Sequence, residues 1–311
     1  MSDMLLFRPS LVASLLFSLA TPSSAQNAWS SITLDPTYRT VAPPHDDYPQ
    51  NANHVFVVSS ILTLICVAAV GVSLMESKRW NSTVPAALTL GAATCFYAKA
   101  INCYLANVYW TISQDPKQVL FTLLGRDFEL YVAIVWWSFG SVVSCCMFAA
   151  LSRNARTGTL WILLGLAAFF DFVLEECMLG YGGVYSYYGH QPLVLFRHFP
   201  CWWAFGNTCG LFFGISIAYR HRDWFNGWRS VLLVPLLPFC YVGPQVIAGL
   251  PTFYAIQADY SPPVTELCGV ATCCIAVVQV SVVMDAVLGR EPFSAHGIDD
   301  NSSLSKDRKS T

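Results

Sequence analysis

The sequence predicts an all-α polytopic membrane protein, with seven transmembrane helices after a cleaved signal peptide, the N-terminus lumenal and the C-terminus cytoplasmic. Three observations carry this prediction. The 311-residue chain is 55% hydrophobic and 12% charged, with a mean hydropathy of +0.48, whereas soluble domains carry about 25% charged residues. Apolar segments of bilayer-crossing length recur along it. Lys and Arg gather in alternate connections, as they do on the cytoplasmic side of membrane proteins. The formal net charge of -2 offers no basic patch to a nucleic acid, so the few charges present are informative through their positions.

Residues 1–25 have the pattern of a signal peptide: an early Arg8, an apolar core over 11–20, and Ser23 and Ala25 at the spacing a signal peptidase accepts. That core, about ten residues, is half the length a bilayer-spanning helix needs. Residues 26–54 form a polar lumenal segment. The membrane domain, 55–290, holds seven apolar segments, at 55–75, 83–108, 130–151, 159–179, 201–218, 230–250 and 268–288. Each must be helical, because lipid offers no partner to a free N–H or C=O group.

The basic connections are "ESKRWN", "SRNARTG", "YRHRDWFNGWR" and the tail that begins "GREPFS". They alternate strictly with weakly basic ones holding Lys117, Arg126 and Arg197, and this alternation sets the topology. A signal peptide delivers the same N-terminus to the same side, which places an integral membrane protein in the secretory pathway, at the endoplasmic reticulum. Residues 291–311 are polar and read as a disordered cytoplasmic tail. The glycosylation sequons at Asn81 and Asn301 then face the cytoplasm and stay unmodified. Most of the twelve cysteines lie inside apolar segments as small hydrophobes; Cys177, Cys201 and Cys268, near lumenal helix ends, are the ones that could form a disulfide there.

Ionisable groups inside membrane helices are costly and usually mark a functional interior. Here they share one depth. Lys99, Asn102 and Asn107 fall in the lumenal half of the second segment, and "DFVLEE" puts Asp171, Glu175 and Glu176 toward the lumenal end of the fourth. Asp127 and Glu129 precede the third, Trp202, Trp203 and Asn207 open the fifth, and Tyr241 and Gln245 lie on the lumenal side of the sixth. Asp285 is the exception, close to the cytoplasmic end of the seventh, where snorkelling or capping and catalysis are equally compatible with it. The pattern predicts a pocket facing the lumen.

Asp171 and Glu175, four apart, share a helix face, while Glu176 is turned well round from it. Two carboxylates on one face repel, and a low-dielectric surround favours the neutral form, so one carboxylic acid can stay ready to donate a proton at neutral pH. Lys99 offers the charge that would hold the other ionised. A buried Lys–carboxylate pair that only fixes helix register fits the same residues.

The connection "GYGGVYSYYGHQPLVLFRHFPCWW" adds Tyr185, Tyr188, His190 and His198 ahead of Trp202 and Trp203. It reads either as an interfacial aromatic belt or as an aromatic lid over the acids. Aromatic faces attract cations, so such a lid would suit a reaction through a carbocation. The two histidines lack a third ligand at zinc-like spacing.

A small seven-helix protein with an acid cluster in its helices and an aromatic-lined pocket resembles the integral-membrane terpene cyclases of fungal meroterpenoid pathways. In its signal-like N-terminus and its length it is similar to the ascochlorin/ascofuranone-type membrane cyclases, and more distantly to the shorter paxilline-type cyclases. The resemblance is global, over about residues 55–290. The paxilline-type group implies an acid in the second helix, where this chain has Lys99, Asn102 and Asn107, and this moves the candidate acid to the fourth.

What the resemblance implies is a cofactor-independent isomerase, an intramolecular lyase of secondary metabolism. Its substrate is a lipophilic prenylated aromatic, met in membrane lipid, which an upstream prenyltransferase and an epoxidase have prepared. Asp171 or Glu175 would be the acid, its neighbour or Glu129 the polarising base, and Lys99 the group that tunes the pair. Glu176, Asn102, Tyr185, Tyr188, His190, His198, Trp202, Trp203, Asn207 and Gln245 would line the substrate site. Two other classes share the charges and the topology: a seven-helix receptor, against which stand the very short cytoplasmic connections, and a small-molecule transporter, which would spread its polar groups through the membrane thickness.

Overall fold

The structure, a computed structural model, describes residues 51–113, 115–124, 126–180, 184–258 and 260–293. The signal peptide, nearly all of the lumenal segment before residue 51, and the tail from 294, with Asn301, lie outside the described residues. The helices are α1 (Ala52–Trp80), α2 (Val84–Ala93), α3 (Cys95–Leu105), α4 (Leu130–Ser152), α5 (Thr157–Gly180), α6 (Cys201–Arg220), the short α7 (Arg222–Phe225), α8 (Leu233–Gln257) and α9 (Pro262–Val282). A 3-10 turn, Gly227–Leu232, leads into α8, and a π turn, Val283–Val287, continues α9.

Five helical units are long and apolar enough to cross a membrane, and α2 with α3 makes a sixth among the described residues. The remaining expected segment, 159–179, coincides with α5, whose 24 residues span about 36 Å at 1.5 Å each, against a hydrocarbon core of about 30 Å. Large apolar side chains face outward, among them Phe56, Leu64 and Met75 on α1, Ile162 and Phe169 on α5, and Phe239 and Tyr254 on α8. An apolar surface this extensive is solvated by lipid tails and not by water, so the chain is a helical membrane protein.

Local chemistry sets the helix limits. Asn51 accepts the His54 N–H at the start of α1 (3.2 Å). Asn81 ends that helix in the left-handed region at φ 46°, a conformation that Asn tolerates better than most residues. Pro262 stands in the first turn of α9, where its missing N–H has no consequence.

The expected second helix is not one straight rod: α2 and α3 meet at 44° across Thr94. The cause lies in α8, which contains Pro238. Proline has no N–H, so the carbonyl four residues back, on Val234, loses its helical donor. The Thr94 hydroxyl lies 2.9 Å from that carbonyl and 2.8 Å from the Gly91 carbonyl, and the bend puts it there.

Helices α6 and α8 are packed backbone to backbone along Gly206, Gly210 and Gly214, which recur at four-residue spacing. A Cβ on Gly210 would stand 2.0 Å from the Tyr241 carbonyl oxygen, and one on Gly206 would stand 3.0 Å from Gln245 Cγ. Small residues at this period let membrane helices approach closely. Their sequence neighbour Asn207 is thereby carried against α8.

The helical bundle expected from sequence carries short strands at one end. There β1 (Val108–Trp110) pairs antiparallel with β4 (Tyr185–Tyr187), with Val108 opposite Tyr187 and Trp110 opposite Tyr185, and β2 (Val119–Leu123) pairs with β3 (Arg126–Glu129). Connections laid over apolar helix ends must still satisfy their backbone groups, and short strand pairs do so. Arg126 ties the two sheets together: its guanidinium donates to the Val108 carbonyl (2.9 Å) and the Tyr188 hydroxyl (2.7 Å), and stacks 4.2 Å from the Tyr104 ring. All twelve cysteines, Cys177, Cys201 and Cys268 included, are free thiols.

Candidate functional site

The bend at Thr94 directs α3 into the half of the bundle that ends in the two sheets. Lys99 lies there with no exposed surface. Its ammonium donates to Asn207 Oδ1 (2.7 Å) and to Gln245 Oε1 (2.5 Å). Three rings close round it, with centroids 4.4 Å away at Trp136, 4.3 Å at Trp203 and 4.6 Å at Tyr241. A desolvated ammonium needs full hydrogen bonding, and aromatic faces add electrostatic attraction.

Asn207 is the hub of the cluster. Its Oδ1 accepts from Lys99, from the Tyr241 hydroxyl (2.9 Å) and from Gln245 Nε2 (2.8 Å), while its Nδ2 donates to Asp171 Oδ2 (2.8 Å). Asn102 Nδ2 reaches Gln245 Oε1 at 2.8 Å. One turn along α5, Glu175 is 4% exposed, and its Oε2 has no hydrogen-bond partner among the described residues. Asp171 and Glu175 interact electrostatically with each other and with Lys99. Four helices, α3, α5, α6 and α8, thus bring one ammonium, two carboxylates and three amides together in the buried interior. Two acceptors, Glu175 Oε2 and Asn102 Oδ1, are left over among the described residues.

Of the residues expected in the site, Lys99, Asn102, Asp171, Glu175, Trp203, Asn207 and Gln245 belong to this cluster. Trp202 packs edge-on against Trp203 and Phe253, and its buried indole N–H has no partner among the described residues. Tyr185 lies tilted against Trp110 with ring centroids 4.4 Å apart, and its buried hydroxyl likewise has no partner among the described residues. Both polar tips lie in the aromatic layer next to the cluster.

The other expected residues serve the connections. Glu129 accepts from the Ser113 N–H and hydroxyl (2.6 and 2.7 Å) and fastens the loop before β2. Glu176, on the flank of α5 turned from Glu175, accepts the backbone N–H groups of Arg197, His198 and Phe199 at 3.0–3.2 Å. His190 pairs with Glu266 at 3.3 Å, and the His198 side chain is exposed. Tyr188 is held by Arg126. Asn107 accepts from Gln257 Nε2 through its side chain (2.6 Å) and ends α3 at φ 54°. Asp285 lies exposed in the π turn.

The residues underrated from sequence are Trp136 and Tyr241, two walls of the Lys99 cage. Their signal was depth: counted from the helix ends, both lie level with Lys99. The rings nearest the cluster grip Lys99 itself, and Tyr185, Tyr187 and Trp202 form the neighbouring aromatic layer.

Beside the cluster runs an apolar groove of about 530 Å³ between α5, α6 and α9. Its lining includes Ala168 and Phe172, which flank Asp171 on α5, and Ala204 and Thr208, which flank Asn207 on α6. Among the described residues no three His, Cys, Asp or Glu side chains stand together as metal ligands would.

Comparison of the chain with protein-family models, with curated proteins and with solved structures finds no match in any of the three. The site must therefore be interpreted from its own chemistry.

Proposed function

We propose that this protein is a membrane-bound terpene cyclase that opens the epoxide of a prenylated aromatic by acid and closes the resulting cation into a ring. The observation that carries this reading is the asymmetry of the two buried carboxyls. Asp171 is tied through Asn207 to the Lys99 ammonium, whereas Glu175 Oε2 has no hydrogen-bond partner among the described residues. In a dry cluster one ammonium balances one carboxylate. Asp171 is that carboxylate, and Glu175 holds the proton.

Glu175 gives its proton to the epoxide oxygen, and the C–O bond breaks to leave a hydroxyl and a tertiary cation. An internal alkene or hydroxyl attacks the cation, and a carboxylate takes up the proton released, so the product is an isomer of the substrate. General acid catalysis of this kind contributes about 10²–10⁴-fold. The faces of Tyr185, Tyr187 and Trp202 are suited to stabilise the travelling positive charge. The groove between α5, α6 and α9 would receive the lipophilic chain from the bilayer. In this reading the sheet-bearing end faces the lumen of the endoplasmic reticulum, after a signal peptide, as the positions of the basic connections indicate.

The test is to incubate membranes containing the protein with farnesylated phenol epoxides and to seek a cyclic isomer of unchanged mass. No isomer from any such epoxide would leave the receptor and transporter readings ahead. Isomer formation that persists undiminished in both Asp171→Asn and Glu175→Gln, at normal expression, would overturn the assignment of the acid.

A further inference from the structure

At the opposite end of the bundle from the two sheets, the ends of α4, α6 and the π turn after α9 surround a polar pocket of about 270 Å³. Arg220, Arg222 and Arg290 line it together with Asn154 and Tyr219, and no carboxylate does. Arg290 is only 8% exposed. Its guanidinium donates to the Ala155 carbonyl and to Asn154 Oδ1 (3.1 Å) and meets the Tyr219 hydroxyl, all neutral partners. Arg222 donates to the Tyr219 carbonyl at 3.3 Å and lies 4.6 Å from the Tyr219 ring. Arg220 is exposed and has no hydrogen bond or ion pair among the described residues.

The ion pairs found among the described residues lie elsewhere, joining Glu76 to Arg79 and Arg153 and His190 to Glu266. Asp223 and Glu291, next in sequence to Arg222 and Arg290, pair with none of the three arginines. Helix capping explains Arg290 in part, because the carbonyls of a helix C-terminus carry partial negative charge. It does not explain two more guanidiniums converging on the same cavity. A buried guanidinium normally faces an anion. The planar fork of arginine matches the oxygens of a phosphate.

The pocket also lies where membrane-crossing helices end, level with lipid headgroups. This is the side on which the basic connections lie and which the sequence predicts to be cytoplasmic, where anionic lipids attract arginine. We propose that the pocket formed by Arg220, Arg222 and Arg290 binds a phosphate group, presented as the phosphomonoester headgroup of an anionic lipid. This site is independent of the proposed cyclase activity.

Full-length protein purified in detergent and observed by native mass spectrometry tests this, with phosphatidic acid or phosphatidylcholine of the same chains added in turn. The wild type is expected to retain phosphatidic acid about tenfold or more over phosphatidylcholine. The double variant R220Q/R222Q, which keeps the capping bonds of Arg290, should lose the preference. The single variant Arg220→Glu, at an exposed position with no partner to lose, should lose it as well. Equal retention of the two lipids by the wild type, or a preference that survives both variants, overturns the proposal. Release of the bound phosphatidic acid by millimolar inorganic phosphate, but not by chloride at the same ionic strength, would assign the site to soluble phosphate and overturn the lipid as its source; persistence of the lipid supports it.

Discussion

The Lys99 ammonium and the Asp171 carboxylate meet through a single amide. Asn207 accepts from Lys99 Nζ at 2.7 Å with its oxygen and donates to Asp171 Oδ2 at 2.8 Å with its nitrogen. A direct ion pair would occupy both charges fully; the amide bridge keeps them apart while each stays hydrogen-bonded. Charge-assisted bonds at both ends of the amide polarise it in one direction, which strengthens both.

Replacing Asn207 by Leu should therefore destabilise the fold and not only impair turnover. Lys99, Tyr241 and Gln245 would each lose an acceptor inside the bundle. One unsatisfied buried group costs about 1–3 kcal/mol, and more when it is charged. Thermal unfolding in detergent, followed by thiol-reactive dye or tryptophan emission, should show a clearly lowered Tm. An unchanged Tm would show that the hub carries no stability.

The two carboxyls should respond differently to amide substitution. Glu175→Gln removes the proposed acid from a group with no partner to lose, so turnover should fall about 10²–10⁴-fold with little change in Tm. Asp171→Asn leaves the buried Lys99 without its nearby counter-charge, so it should lower both Tm and turnover. Equal effects on Tm would show that the asymmetry in hydrogen bonding has no energetic meaning.

Gly210→Ala should be the most damaging change of a single methyl group in the bundle. The new Cβ would sit 2.0 Å from the Tyr241 carbonyl oxygen, a backbone atom that cannot swing aside. Overpacking of this kind costs about 1–3 kcal/mol and occasionally more, and it would also spread the hydrogen bonds between Asn207 and α8. The control is Gly71→Ala on α1, where nothing lies within 4 Å. Yields of folded protein on size-exclusion chromatography should separate the two; equal yields would show that α6 and α8 can part freely.

Glu176 should prove to be a clasp for the connection between α5 and α6. Its carboxylate holds three consecutive backbone N–H groups, at Arg197, His198 and Phe199. In Glu176→Ala that turn should loosen, and trypsin should cut after Arg197 faster than in the wild type. Identical cleavage rates would remove the clasp role.

Asn81 tests the orientation. It caps α1 in the left-handed region, is exposed, and its carbonyl accepts from Asn226 Nδ2 at 3.3 Å. On the cytoplasmic side it should carry no glycan. A shift in gel mobility on deglycosidase treatment, abolished by Asn81→Gln, would invert the topology.

Much of this architecture is visible along the chain. Apolar length and the placement of Lys and Arg depend only on local composition, so helices are found at all seven expected segments. Depth is also a one-dimensional quantity, since each residue adds a fixed rise to its helix. That is why Lys99, Asn102, Asp171, Glu175, Asn207 and Gln245 could be placed at one level before their contacts were known.

Which of them touch depends on how far each helix is rotated about its axis, and on where a helix bends. Glu175 and Glu176 differ by one residue, yet one faces Lys99 and the other binds the backbone of a connection. Trp136 and Tyr241 could be placed at a depth from sequence, but that their rings enclose an ammonium depends on helix rotation. The break at Thr94 sets its hydroxyl against the Val234 carbonyl that Pro238 leaves free on another helix, and the position of Asn207 against Tyr241 and Gln245 depends on glycines that let two helices approach closely. The pairing of β1 with β4 over the helix ends was hidden for a related reason: its partners, such as Val108 and Tyr187, lie far apart in the chain. The sequence determined a helical membrane protein with polar groups gathered at one depth. The tertiary structure decided that Asn207 links its cation to one carboxylate and leaves the other, Glu175, with an unpaired oxygen.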